Sequence, residues 1–248
     1  MTPARSASTA AVPQWRRAAR GMFRGHLFTG LWLWGVLIVT SAVALTLVNL
    51  FGEVNQSSLQ YVVSGALWYP FAFSIILSSQ LGIHIANGLT RRAFVIAAAV
   101  TAVVVGVVYA VLTATGLAIE GAVFDAFGWP HRITEDAAPL VIDESSLAMV
   151  AGWSALAYTS TQLCGFLVGA TYYRFGGWWG TAALPFTLLP VIVVNLATGV
   201  SAGQWRPFDV AVDFPTSLTV VMVLGVIVAT IAALYLVTRR VAVRPRQA

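Results

Sequence analysis

The chain has 248 residues, of which 58% are hydrophobic and only 9% charged, with a formal net charge of +5. A soluble domain carries about a quarter charged residues, so water is excluded as the solvent for most of this chain and lipid takes its place. The charge is segregated along the sequence, so its positive balance follows membrane orientation and gives no sign of a nucleic-acid partner.

Residues 1–13 are rich in Ala, Ser, Thr and Pro and read as an unstructured leader. Over 15–26 the pattern predicts an amphipathic helix lying on the membrane. At about 100° per residue, Arg16, Arg17, Arg20 and Arg24 share one side, and Trp15, Ala18, Ala19, Met22 and Phe23 the other. Six apolar stretches then follow, at 27–50, 60–86, 93–118, 147–172, 178–199 and 215–238. None holds an arginine, aspartate or glutamate. Each reaches the roughly 20 residues that span a bilayer as a helix, which satisfies its own backbone in lipid. The expected fold is an all-α polytopic membrane protein with three parts: a cytoplasmic leader with its interfacial helix (1–26), a six-helix transmembrane domain (27–238) and a basic cytoplasmic tail (239–248).

Arginine placement orients the spans. The leader, the second-to-third connection, Arg174 and the tail hold twelve of the fourteen arginines; only Arg132 and Arg206 fall on the other side, with all nine acidic residues. The positive-inside rule therefore places both ends in the cytoplasm. Of the external connections, 119–146 is the largest and carries Glu120, Asp125, Glu135, Asp136, Asp143 and Glu144. Its first residues, Ile119 to Phe127, have the spacing of one or two amphipathic turns before Gly128-Trp129-Pro130 breaks them.

Within the spans, Ala98, Ala102, Gly106, Ala110, Ala114 and Ala118 form a small-residue ladder at four-residue spacing, a face for close helix packing. Gly165 and Gly169 repeat the device. Pro70, Pro185 and Pro190 predict kinks in spans two and five. Thr159, Ser160, Thr161 and Gln162, with Asn195, are the candidate path-lining polar residues, set against the commoner role of bonding a neighbouring helix. His84, at the cytoplasmic edge of span two, is the one ionisable side chain expected near a span.

The chain has one cysteine, Cys164, and its three histidines lack metal-ligand spacing. There is no lysine, hence no phosphate-loop lysine and no Schiff-base amine. No hydrolase motif is visible. The chain reads as a non-enzyme without metal or other cofactor, and any ATP that drives it must be bound by another polypeptide.

The run Ala86-Asn87-Gly88-Leu89-Thr90-Arg91-Arg92-Ala93-Phe94 resembles the Asn-Gly-x-x-Arg-Arg-x-Phe pattern between the second and third spans of ABC-2 type permeases of bacterial ABC exporters. Six spans, cytoplasmic ends and a basic amphipathic lead-in are similar to that family across the chain. The resemblance implies that Asn87, Gly88, Thr90, Arg91 and Arg92 form a turn that docks on a separate cytoplasmic ATP-binding subunit. It also implies a homodimer, or a heterodimer with a second permease, exporting an amphipathic drug, peptide or lipid-like cargo across the bacterial cytoplasmic membrane. The chain departs from the family in placing its long external connection after span three, so no extracellular gate carries over. The alternatives are a small transporter not coupled to an ATPase, and a non-transporting membrane scaffold or immunity protein.

The orientation is directly testable. In a Cys164→Ala background, Ser57→Cys, Glu135→Cys and Ser201→Cys should react with an impermeant thiol reagent added to intact cells, and Ser8→Cys and Gln247→Cys should not. Labelling at position 247 would contradict six spans.

Overall fold

The computed structural model describes residues 13–54, 57–132, 144–198 and 215–241, excluding the side chains of 59–64, 144–146 and 198. The helices are α1 (Gln14–Phe51), α2 (Leu59–Ser79), α3 (Leu81–Ala86), α4 (Arg91–Phe127), α5 (Glu144–Ala182), α6 (Leu184–Thr198) and α7 (Thr216–Thr238). Three of them, α1, α4 and α7, are long and apolar enough to cross a membrane unbroken. The pair α5–α6, bent by 85°, is a fourth candidate. The chain is an all-helical membrane protein.

The leader helix and the first span prove to be one rod. α1 runs for 38 residues without a break, about 57 Å at 1.5 Å per residue, nearly twice the hydrocarbon thickness. Its buried stripe of Ala19, Met22, His26, Gly30 and Trp34 keeps helical phase straight through the expected boundary at 26. The expected interfacial helix over 15–26 is therefore the first three turns of α1, and its apolar side rests on protein. Trp15 is half-buried, while Arg16, Arg17, Arg20 and Arg24 are exposed. Further on, Phe28, Leu31, Trp32 and Val36 point outward, and only 6% of the most apolar window is buried, a surface made for lipid.

Other boundaries shift for identifiable reasons. The expected second span divides at Gln80 into α2 and the six-residue α3. The third-span helix continues past 118 to Phe127, where Gly128 at φ 67° ends it with a left-handed cap. The fourth and fifth expected spans part within 173–177 as expected: Gly176 (φ 81°, ψ 178°) is non-helical and divides α5 into two helices, the second running only to Ala182. The 85° break lies between Ala182 and Leu184, so 178–199 is not one straight span, and α6 keeps only 15 residues. Pro185 falls in the first turn of α6, where a missing N–H is harmless and the fixed φ favours helix initiation. The expected kink at Pro185 coincides with this 85° bend, which lies directly before it, and Pro70 and Pro190 lie inside α2 and α6.

α5 is the central helix. Every residue from Ala157 to Thr171 is buried, enclosed by α2, α4, α6 and α7, with α1 packed outside on α4 and α2. In lipid, burial against tails gains little, so helices must hold one another by close packing. Gly165 and Gly169 bring α5 onto the backbone of α2 at Phe71 and Ile75, and Gly106 brings α4 onto Ala155 and Thr159. The ladder is thus used within the chain: Ala98, Ala102, Gly106 and Ala110 are buried, and Ala114 and Ala118 half-buried.

A Cβ added at Gly169 would stand 2.6 Å from the Ile75 carbonyl oxygen and 2.7 Å from Ser78 Cβ. Gly169→Ala is expected to destabilise by about 1–3 kcal/mol through overpacking. Gly225→Ala, with open space around the new methyl, is expected to be neutral or stabilising by up to about 1 kcal/mol. Thermal unfolding in detergent separates the two; a Gly169→Ala midpoint at or above that of the parent would contradict the tight α2–α5 contact.

Candidate functional site

The turn at 87–92 is built by local rules. Asn87 ends α3, and Gly88 takes φ 84°, a conformation that favours glycine. Thr90 caps α4, its hydroxyl accepting from the Ala93 N–H at 3.2 Å. The Thr90 N–H donates to Gln14 Oε1 at 3.3 Å, tying the start of α1 to the turn. The two arginines then part company. Arg91 donates to the Val241 carbonyl at 2.6 Å, just beyond α7, whereas Arg92 is exposed. Arg174 donates to the carbonyls of Leu236 and Val237 at 3.1 and 3.0 Å. The last carbonyls of a helix lack partners and carry partial negative charge, and a cation there stabilises by about 0.3–1 kcal/mol. Arg91 is therefore engaged in holding α7, and of the expected docking pair Arg92 alone faces outward, beside exposed Asn87 and Gly88. His84, half-buried, lies 6.3 Å from the Phe94 ring.

The mid-span polar run is buried in helix contacts. Thr161 donates to the Ala157 carbonyl at 2.7 Å, and Gln162 Nε2 donates to the carbonyls of Ala102 and Tyr158, each at 3.2 Å. Thr159 presses on Gly106. Ser160 Oγ and Gln162 Oε1 are buried without a partner, as is Oδ1 of Asn195 on α6. Of Thr159 to Gln162, only Gln162 bonds a neighbouring helix; Thr161 bonds its own backbone, Thr159 packs on Gly106, and Ser160 is unpartnered.

A different set of polar groups converges along the inner face of α1. His26 is fully buried, with neither ring nitrogen partnered, its ring edge-on to Phe73 of α2 with 4.7 Å between centroids. One turn on, the Tyr69 hydroxyl bonds Thr29. The Tyr109 hydroxyl of α4 lies against Gly30, unpartnered, with the Trp34 and Tyr158 rings edge-on at 5.7 Å each. Trp34 Nε1 is likewise buried and unpartnered, while Tyr158 shares a 2.9 Å bond with Thr113. Unpartnered polar groups away from water are costly, and inside a membrane bundle they mark function by default. His84 is therefore not the only ionisable side chain to weigh; His26 sits deeper. The signal was present in the sequence as Met22, His26, Gly30 and Trp34 at four-residue spacing, continuing from the leader into the first span.

At the opposite end Glu120, grouped by sequence with solvated loop acids, is a buried anchor. It accepts from Ser57 Oγ at 2.5 Å, from Ser58 N–H at 2.8 Å and from Ser58 Oγ at 2.7 Å, and it pairs with His131 Nε2 at 3.1 Å. This fastens the α1–α2 connection to the end of α4. Ser57, 3% exposed, is accordingly a poor labelling position. Ser8, Glu135, Ser201 and Gln247 lie outside the described residues, as does the tail beyond Val241.

Compared with family models, curated proteins and solved structures, the chain has no match. The fold and this geometry define a class: a helical membrane protein with a polar seam under α1 and a rigid, arginine-bearing turn at one end.

Removing an unpartnered buried hydroxyl relieves its desolvation, whereas removing a partnered one orphans its neighbour; each effect is about 1–3 kcal/mol. Tyr109→Phe is expected to leave the unfolding midpoint unchanged or raised, and Tyr158→Phe to lower it by stripping Thr113. Equal losses in both variants would contradict the difference between the two hydroxyls.

Proposed function

We propose that this chain is the permease subunit of an ABC-2 type exporter, with six spans and both ends at the cytoplasmic face of a bacterial membrane. It works as a homodimer or with a second permease. A separate ATP-binding subunit drives it, and the cargo is an amphipathic drug, peptide or lipid-like molecule. The observation that carries this reading is the α3–turn–α4 hairpin. A short helix, a glycine at φ 84° and a capped helix start hold Arg92 outward on a turn braced by Arg91 and Gln14. Such a platform suits docking, because a partner's push on it is transmitted to α1, α4 and α7 together. Gln14 and Val241 both bond to this turn, so the described chain starts and finishes at one end of the bundle. That supports an even number of crossings. ATP-driven closure of the partner would rock the helices between inward- and outward-facing states.

One observation favours a second reading, a small transporter without an ATPase. His26 is an ionisable group buried inside the bundle, with neither ring nitrogen hydrogen-bonded.

Single lysine variants test the docking role. Lysine keeps the charge and the orientation rule but loses the planar, multi-donor fork. Arg92→Lys should insert and unfold like the parent yet weaken co-purification with the ATP-binding subunit by about tenfold for each 1.4 kcal/mol lost. Arg91→Lys should instead lower the unfolding midpoint by loosening the grip on Val241. Unchanged association in Arg92→Lys would remove the turn as the coupling site. Vesicles holding this chain alone should move no cargo under a proton gradient; transport abolished by His26→Phe would replace the exporter reading with the second.

A further inference from the structure

A groove of about 400 Å³ runs between α4 and α7 at the arginine-rich end. Val95 and Ile96 wall one side, Val228, Ile231, Ala232 and Tyr235 the other, and Arg92 stands at its mouth. Each wall is a single helical stripe at spacings of three and four. The bond from Arg91 to Val241 sets the start of α4 beside the end of α7, so the stripes run antiparallel in register. One turn beyond Tyr235 the α7 stripe reaches exposed Arg239. Both helices pack chiefly on α5, and small Ala232 leaves the space between them unfilled. Val228 is 65% exposed and Tyr235 44%, so the groove opens outward from the bundle.

The chemistry is that of an amphipathic anion. The wall from Val228 to Tyr235 gives about 10 Å of apolar contact, ending at two guanidinium groups and a phenol. No acidic residue occurs in 54–119 or 214–248, and among the described residues neither Arg92 nor Arg239 has an ion-pair partner. A second copy of this chain in the same membrane would bring its own arginine-rich end against these arginines, like charge on like. An inorganic anion would leave the apolar wall uncovered. We propose that the groove binds an anionic phospholipid, one acyl chain along the wall and the headgroup phosphate between Arg92 and Arg239, with the Tyr235 hydroxyl as a further donor.

The test uses the full chain in neutral detergent, with the unfolding midpoint followed as phosphatidylglycerol, phosphatidylcholine or inorganic phosphate is added. Phosphatidylglycerol is expected to raise the midpoint saturably, and the other two are not. Ala232→Trp fills the groove without altering charge and should abolish that shift. Arg92→Gln and Arg239→Gln should each weaken apparent phosphatidylglycerol affinity about fivefold. Arg240→Gln, off the stripe, should change it much less. Equal shifts from both lipids would overturn the headgroup assignment. An equal shift from inorganic phosphate would mean a free anion site and overturn the lipid. A phosphatidylglycerol shift that survives in Ala232→Trp would overturn the groove. If that variant also changed oligomeric state, the groove would be an interface between copies. Ala232 shares the groove with Arg92 but lies outside the turn at 87–92, and the chain is tested without any ATP-binding subunit, so the result stands whether or not one docks there.

Discussion

The approach of α5 to α2 and α4 is the contact on which the rest of the structure leans. Lipid offers helices no hydrophobic reason to associate, so stability has to come from backbones brought within van der Waals range over a long seam. Gly165, Gly169 and Gly106 supply that range. Their glycine surfaces allow Ser78 to donate to the Phe166 carbonyl and Gln162 to the Ala102 carbonyl, bonds that cross between helices at 2.8 and 3.2 Å. Once three helices are locked in this way, α1, α6 and α7 can only pack around them. Unpartnered buried polar groups remain on both sides of this arrangement: Ser74, Thr101 and Ser160 on the locked helices, and His26, Trp34 and Tyr109 along the α1 seam.

Charge organises the two ends by different means. At the arginine-rich end, Arg91 and Arg174 are turned inward onto the last carbonyls around α7, where the helix dipole and the unsatisfied C=O groups welcome a cation. Arg92 and Arg239 are turned outward and keep their charge available. At the other end a single carboxylate, Glu120, gathers two serines and a histidine into a buried knot. Arginines that a count along the chain treats alike thus divide into structural and presented members, and the division follows helical phase. Positions 91 and 92 are adjacent, so they differ by about 100° around α4.

The parts legible in sequence were those governed by local rules. The glycine turn at 88, the threonine cap at 90, the helix stop at 128 and the span in α7 all follow from residue type and spacing. The ladder from Ala98 was legible as a packing face, though not as one that meets α5. What escaped depends on depth and partners, which periodicity does not report. An amphipathic stripe against lipid and one against protein look the same, so the first turns of α1 passed for an interfacial helix. Apolar runs without charge hide breaks, so Gln80 went unseen inside 60–86. Glu120 lay among six acids of one loop, and nothing in composition separates a buried anchor from its solvated neighbours.

The unequal tightness of the bundle bears on how it would move under the exporter reading. α2, α4 and α5 meet through glycines and buried hydroxyls, a body that resists separation because every small displacement loses many contacts at once. α1 touches that body along one stripe only and turns most of its surface to lipid. Sliding or tilting α1 would leave the α2–α4–α5 body intact, and it would expose the His26 nitrogens and the Tyr109 and Trp34 donors. Their desolvation would favour such a displacement, while the Trp34–Tyr109 and His26–Phe73 ring contacts would oppose it. Under the exporter reading, an amphipathic cargo entering this seam would satisfy the orphaned donors while replacing the ring contacts with its own apolar surface.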